Sequence, residues 1–216
     1  MAQPSEIVRE IIRRTPLYGA LRARKLQGLH QAWIRNGRRL PPSHVFKQSV
    51  VKETAESHGL RTLVETGTYL GDMIAAAKDL FNEIYSIELN PKFYEIARRR
   101  FSRQRHVRIA LGDSGEVLGQ VLSGIKAPCL FWLDGHYTRG EFAIRGDRET
   151  PIEKELRHIA RHPLKLEHVI LIDDARDYTG SGDYPSIETL KAWAESEGFT
   201  DFAVENDIIR VSARGQ

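Results

Sequence analysis

A single cysteine, Cys129, stands among 216 residues. It has no partner for an internal disulfide, which excludes the disulfide-stapled secreted scaffolds and fits a reducing, cytoplasmic setting. Long apolar runs are missing as well. No stretch reaches the roughly 18 uninterrupted apolar residues of a membrane helix, so no membrane span is expected. A secretory leader is not expected either, because Arg9, Glu10, Arg13 and Arg14 interrupt the aliphatic residues near the N-terminus. There is no internal repeat and no low-complexity tract. What is present is ordinary for a globular chain, 41% hydrophobic and 28% charged residues. The length suits one well-buried domain with a small appendage.

Charge is unevenly placed. Residues 1–40 hold nine Lys/Arg against two acids, a balance of +7, which leaves −4 for the remainder of a chain with net charge +3. A basic arm can meet nucleic acid, anionic lipid or an acidic substrate. It can equally be the solvated face of helices packed on a domain or a second subunit. The second reading is preferred, since no aromatic stacking set is interleaved with the basic residues.

The chain divides at about residue 45. Before it, Ser5 can cap a short helix that Thr15-Pro16 ends, and a second helical stretch carries Leu17, Leu21, Leu26, Leu29 and Trp33 as far as "NGRRLPPS". From about residue 46 a helix leads towards Gly59. Seven short aliphatic runs then follow: "TLVET", "IYSIEL", "VRIAL", "CLFWLD", "VILID", "FAVEN" and "IIRVS". Amphipathic stretches at 69–80, 91–101, 114–123, 151–160 and 185–198 separate most of them. Continuous apolar strands alternating with helices predict an α/β fold with a parallel sheet covered on both faces. The last two runs, joined only by "ND", predict a closing antiparallel hairpin. Thr150 and Glu153 read as a capping box for the helix that follows, and the 137–149 loop as an acceptor lid.

In such sheets a ligand lies beyond the carboxyl ends of the strands, so each strand end is read for chemistry. Five of them give "ETGTYLGD", "ELNP", "LGDS", "LDGH" and "IDDA", each with an acid at or beside the end. In the first, Gly67 permits a tight turn and Gly71 lets the following helix pack closely. Glu88 ends the next run, 17 residues after Gly71, where a carboxylate can accept from both ribose hydroxyls. Asp113, with Ser114 beside it, is placed to take a base amino group, although Asp113-Ser114 is also a good helix cap. The dinucleotide fingerprint G-x-G-x-x-G is absent, because Tyr69 stands between Gly67 and Gly71. These residues resemble the class I S-adenosylmethionine-dependent methyltransferases, whose first motif is an acid followed by x-G-x-G-x-G. Glu65, Gly67 and Gly71 match that motif, and Tyr69 replaces its middle glycine. The resemblance covers roughly residues 60–212. It implies a Rossmann-like seven-stranded sheet of order 3-2-1-4-5-7-6, with S-adenosylmethionine held by Glu65, Gly67, Thr68, Gly71, Glu88, Asp113, Ser114 and Asp134.

The acceptor half is read from the fourth and fifth runs, taken as neighbours across the switch point with axes about 4.8 Å apart. Asp134 then faces Asp173 and Asp174. Three carboxylates so close repel unless a proton or cation intervenes, and oxygen-only ligands favour Mg²⁺ first, then Mn²⁺ or Ca²⁺. Asp173-Asp174 could instead cap a short helix at "ARDY". The arrangement is similar to the metal-dependent O-methyltransferases of macrolide and aminocoumarin sugars. Their ligand set is an aspartate of an "IDGD"-type motif and a paired "DD" after the next strand, matched here by Asp134, Asp173 and Asp174. The family's second "IDGD" aspartate, its general base, falls on His136. The resemblance therefore implies a sugar, oligosaccharide or polyol acceptor. Residues 1–45, which it does not reach, are read as a basic arm that caps the acceptor side or pairs subunits in a homodimer.

Other acceptors are disfavoured. "DGHY" lacks the prolines of the N/D-P-P-Y motif that serves nucleic-acid amine methylation, and "PC" at 128–129 begins a strand at the edge away from the cofactor, where Cys129 reads as core packing. A methyltransferase acting on RNA or protein through the arm, and a non-catalytic cofactor-binding module, stay as alternatives.

Overall fold

The computed structural model describes residues 17–135 and 150–213. The Ser5 helix, His136 and the 137–149 loop lie outside the described residues. Helix α1 (Leu17–Arg35) leads through a connector to α2 (His44–Ser57), whose N-cap Ser43 accepts from Phe46 N. Seven strands follow: β1 (Thr62–Thr66), β2 (Glu83–Glu88), β3 (Val107–Leu111), β4 (Cys129–Leu133), β5 (Val169–Ile172), β6 (Asp201–Glu205) and β7 (Ile208–Ser212). Between them run α3 (Asp72–Ala77), α4 (Pro91–Arg100), α5 (Ser114–Ser123), α6 (Ile152–Ala160) and α7 (Ile187–Ser196). The sheet order is β3-β2-β1-β4-β5-β7-β6, parallel except for the antiparallel β7. That is the fold of the class I methyltransferases.

The central strands β1, β4 and β5 are buried at every position because both faces are covered. Val64, Phe131, Leu133, Ile170 and Ile172 pack with Leu118, Leu122, Leu156 and Leu190 of α5, α6 and α7. Leu63, Leu130, Trp132 and Leu171 point the other way, onto Val50, Val51, Met73 and Ile74 of α2 and α3. The closing hairpin turns on Asn206 and Asp207, both at positive φ (52° and 66°), as a two-residue type I′ turn requires.

Three local expectations are corrected. The reversal of strand order lies between β1 and β4, one strand earlier than the fourth-and-fifth pair assigned from the sequence, though β4 and β5 are neighbours with Leu133 opposite Ile172. The 69–80 helix is confined to Asp72–Ala77, because Gly67, Tyr69 and Gly71 all take left-handed φ and hold the preceding residues as a loop. Pro151, not Thr150, occupies the cap position of α6, and Thr150 Oγ1 accepts from Ile152 N at 3.3 Å.

At the far edge of the core, Cys129 N donates to His168 Nδ1 at 3.0 Å, so the His168 proton sits on Nε2, which faces His162 Nδ1 at 2.9 Å. His162 Nε2 then donates to Ile125 O at 3.3 Å. The His168 ring is thereby held as the neutral tautomer. Burial, with His162 adding, lowers the His168 pKa from 6.5 to about 4. An unfolded chain therefore binds this proton first. The stability His168 contributes is complete above pH ~6.5 and is lost as pH falls from there towards about 4, by up to about 3 kcal/mol. Denaturant midpoints measured between pH 7.5 and 4.5 should show this slope, and His168→Gln should flatten it.

Candidate active site

The strand-end acids converge around the loop after β1. Gly67 has φ +85°, and a Cβ there would lie 2.2 Å from Asp134 O, so the loop can pass the end of β4 only without a side chain. Tyr69 occupies the motif's middle-glycine position at φ 48°, the conformation a glycine would take there. For a bulky residue that geometry costs roughly 1–2 kcal/mol. Two contacts hold it: Tyr69 N donates to Glu88 Oε2 at 2.7 Å, and the ring meets Phe93 edge-on at 4.6 Å. Gly71 (φ +73°) caps α3 with the Phe101 ring against it, so its close neighbour is the end of α4 rather than a strand.

Glu88 ties the loops after β1 and β2 together, because its other oxygen accepts from Asn90 N at 2.8 Å. Each carboxylate oxygen has further lone-pair capacity, so ribose hydroxyls can still donate to it. Glu65 is buried in β1 and accepts from Ser86 Oγ at 2.5 Å, which in turn lies 2.5 Å from Thr68 Oγ1. Thr68 thus turns its hydroxyl into the sheet. Burial pushes the Glu65 carboxyl well up despite Ser86, and the charges of Asp134 and Glu88 push it further. A cationic ligand would favour its ionised form. Asp113 caps α5 by accepting from Gly115 N at 2.8 Å, and Ser114 Oγ donates to Glu155 Oε1 at 2.5 Å. Thr66 Oγ1 at the end of β1 is buried with no hydrogen-bond partner among the described residues, and it faces Gly135. A left-handed loop, an orphaned hydroxyl and acids on three successive strand ends fit a nucleoside bearing a positive charge.

Asp134, Asp173 and Asp174 do come together: each offers an oxygen, and these lie within 4.8 Å of one another. Asp174 precedes a short 3₁₀ turn (Ala175–Asp177) at φ 53° but makes no side-chain cap, so helix capping does not explain the pair. The donor set is hard and anionic. Such an all-oxygen set would suit a divalent cation such as Mg²⁺, with Asp134, Asp173 and Asp174 as the residues to hold it.

Sequence reasoning missed the cations already there. Lys47 of α2 reaches in with Nζ 2.6 Å from Asp173 Oδ2 and 2.9 Å from Asp174 Oδ1. Arg176 Nη1 lies 2.9 Å from Asp174 Oδ1 and also pairs with Asp207. Burial and the Asp174 charge push Asp173 up to about 6 even with Lys47 opposing. A second ionic cluster anchors α1: Arg22 Nε donates to Asp72 Oδ2 at 2.8 Å and Arg100 Nη1 to Oδ1 at 3.0 Å, at the first turn of α3. Burial works against ionised Asp72, but the two guanidiniums hold its pKa below the usual range. Helix α1 is therefore pinned beside the glycine loop.

Cys129 is buried at the start of β4, and burial pushes its thiol up to about 12, as suits core packing and not a nucleophile. A cavity of about 480 Å³ opens at the opposite ends of the strands, lined by Arg61, Thr62, Pro128 and His168 among others, away from the acids.

No protein-family model matches the chain, and no curated protein matches it by sequence. Solved structures do. A methyltransferase of Podospora anserina, PaMTH1 with SAH bound, is 16% identical with a TM-score of 0.55, over 100% of this chain and 99% of that one. A putative caffeoyl-CoA O-methyltransferase from Staphylococcus aureus has the same identity and score over 88% and 92%. The O-methyltransferase TomG of Streptomyces achromogenes, involved in tomaymycin synthesis and solved with SAM, is 17% identical with a TM-score of 0.55 over 86% and 87%. Among the described residues, no helix is long and apolar enough to cross a membrane.

Proposed function

We propose that the chain is an S-adenosylmethionine-dependent O-methyltransferase acting on a hydroxyl of a sugar, oligosaccharide or polyol, with Mg²⁺ or Mn²⁺ as second cofactor. The observation that carries this reading is the clustering of Asp134, Asp173 and Asp174 beside the left-handed Gly67–Gly71 loop. SAM or SAH in similarly folded enzymes supports the cofactor half. Glu88 accepts from the ribose hydroxyls, Asp113 from the adenine amino group, and Glu65 balances the cofactor's positive charge. Asp134, Asp173 and Asp174 hold the divalent ion, which when bound lowers the pKa of the acceptor hydroxyl. His136, two residues beyond Asp134, takes the hydroxyl proton. The oxygen attacks the methyl carbon, the carbon–sulfur bond breaks with its electron pair left on sulfur, and the products are a methyl ether and a neutral thioether. The protein's main contribution is to hold that line of attack.

Residues 1–45 act in this reading as a basic arm covering the acceptor side or pairing two subunits, although the boundary falls inside the first turn of α2. The test is methyl transfer from labelled S-adenosylmethionine to a panel of sugars and polyols, with a catechol included because one similarly folded protein is described as a caffeoyl-CoA O-methyltransferase. Transfer to a polyol, abolished by chelator and restored by Mg²⁺, is the expected result. Full activity in excess chelator would remove the metal, and exclusive use of the catechol would remove the sugar.

A further inference from the structure

Lys47 stands where a lysine is costly. Along α2 the buried residues are Lys47, Gln48, Val50, Val51, Thr54 and Ala55, and all but Gln48 keep the spacing of one helix face packed on a core. An ammonium on that face loses its hydration and must be paired to be tolerated there. Its partners are Asp173 and Asp174, at 2.6 and 2.9 Å, two of the three carboxylates assigned above to the divalent cation. An ammonium between those carboxylates and a divalent ion about 2.1 Å from their oxygens cannot share the gap, and their charges repel. Arg176 is differently placed: it is divided between Asp174 and Asp207 and its side chain is more than a third exposed, so it can stay when an ion arrives.

We propose that Lys47 is a tethered cation that competes with the divalent metal for Asp173 and Asp174, so that metal binding requires its withdrawal from the cluster. This rests on the metal reading given above. Without metal, the lysine keeps the acids from repelling one another and keeps α2 seated on the ends of β4 and β5. With metal, the ion neutralises the same acids, and the lysine must leave them.

The test is Mn²⁺ binding to the full-length protein, read by the spectroscopic signal of free Mn²⁺ and needing no substrate. Lys47→Met keeps the length of the side chain without its charge, and it should bind Mn²⁺ about 10- to 100-fold more tightly than the natural protein, the range expected when one or two charge-assisted hydrogen bonds no longer have to be broken. Lys47→Arg should stay within about threefold of the natural protein. Equal affinity in the natural protein and Lys47→Met would overturn the competition and leave the metal reading standing. Binding by neither would overturn the metal reading and the competition with it. Melting temperatures supply an independent arm, because Lys47→Met leaves buried carboxylates without their ammonium. Mn²⁺ should raise its melting temperature more than that of the natural protein, and a variant that folds only with Mn²⁺ would support the proposal equally. A melting temperature unmoved by Mn²⁺ in Lys47→Met would count against it.

Discussion

Gly67→Ala should melt about 10 °C below the natural protein and lose measurable binding of S-adenosylmethionine. Two effects add. The new Cβ would stand 2.2 Å from Asp134 O and 2.8 Å from Asp134 C, both backbone atoms of the adjoining strand end, which cannot rotate aside. The residue would also have to keep φ +85°, which costs an L side chain roughly 1–2 kcal/mol. Relief requires β1 and β4 to part at the point where Asp134 N donates to Thr66 O at 3.1 Å. A loss of about 3–5 kcal/mol is expected, and for a chain of this size each kcal/mol shifts melting by roughly 2–4 °C. Gly71→Ala is the comparison: it shares the positive φ (+73°), but its Cβ would meet the Phe101 ring and not backbone atoms of a strand end. It should lose less. A Gly67→Ala protein melting within about 1 °C of the natural one would show that the loop does not pass the strand end as described.

The second large effect is on rate. If His136 accepts the hydroxyl proton, His136→Ala should slow methyl transfer by about 10²–10⁴-fold, some 3–5 kcal/mol of barrier, while the affinity for S-adenosylmethionine stays unchanged. Added imidazole should restore part of the rate. Asp134→Ala should behave differently, losing Mn²⁺ binding as well as turnover, so that base and ligand are told apart. Near-normal turnover in His136→Ala would pass the proton to one of the acids.

The fold was legible because central strands covered on both faces are largely apolar, and helices between them must be amphipathic; "TLVET", "VRIAL" and "IIRVS" could be bounded to the residue. The strand order came only with the resemblance to methyltransferases, since periodicity carries no information about neighbours. Strand-end acids were legible for the same reason that strands were: the position after an apolar run marks the end of the sheet. The left-handed state of Tyr69 was hidden, because it depends on Glu88, 19 residues away, accepting from its N–H. Lys47 was missed for a different reason. Its partners are 126 and 127 residues distant, yet a signal was present: a lysine in phase with Val50, Val51, Thr54 and Ala55 on the inner side of a helix must find an acid. The exposed basic residues of the arm drew attention instead, although Arg22 is spent on Asp72.

The central claim is that a positively charged nucleoside cofactor lies over the ends of β1, β2 and β3 with its ribose on Glu88. Calorimetric titration of S-adenosylmethionine into the natural protein and into Glu88→Ala tests it most directly. Removing a carboxylate that accepts two ribose hydroxyls should cost on the order of 2 kcal/mol, about 30-fold in affinity. Because Glu88 also accepts from Tyr69 N and Asn90 N, Glu88→Gln, which retains an acceptor oxygen, should fall between the two. That graded loss is the predicted result; absence of binding to the natural protein, or equal affinity in all three, would contradict the account.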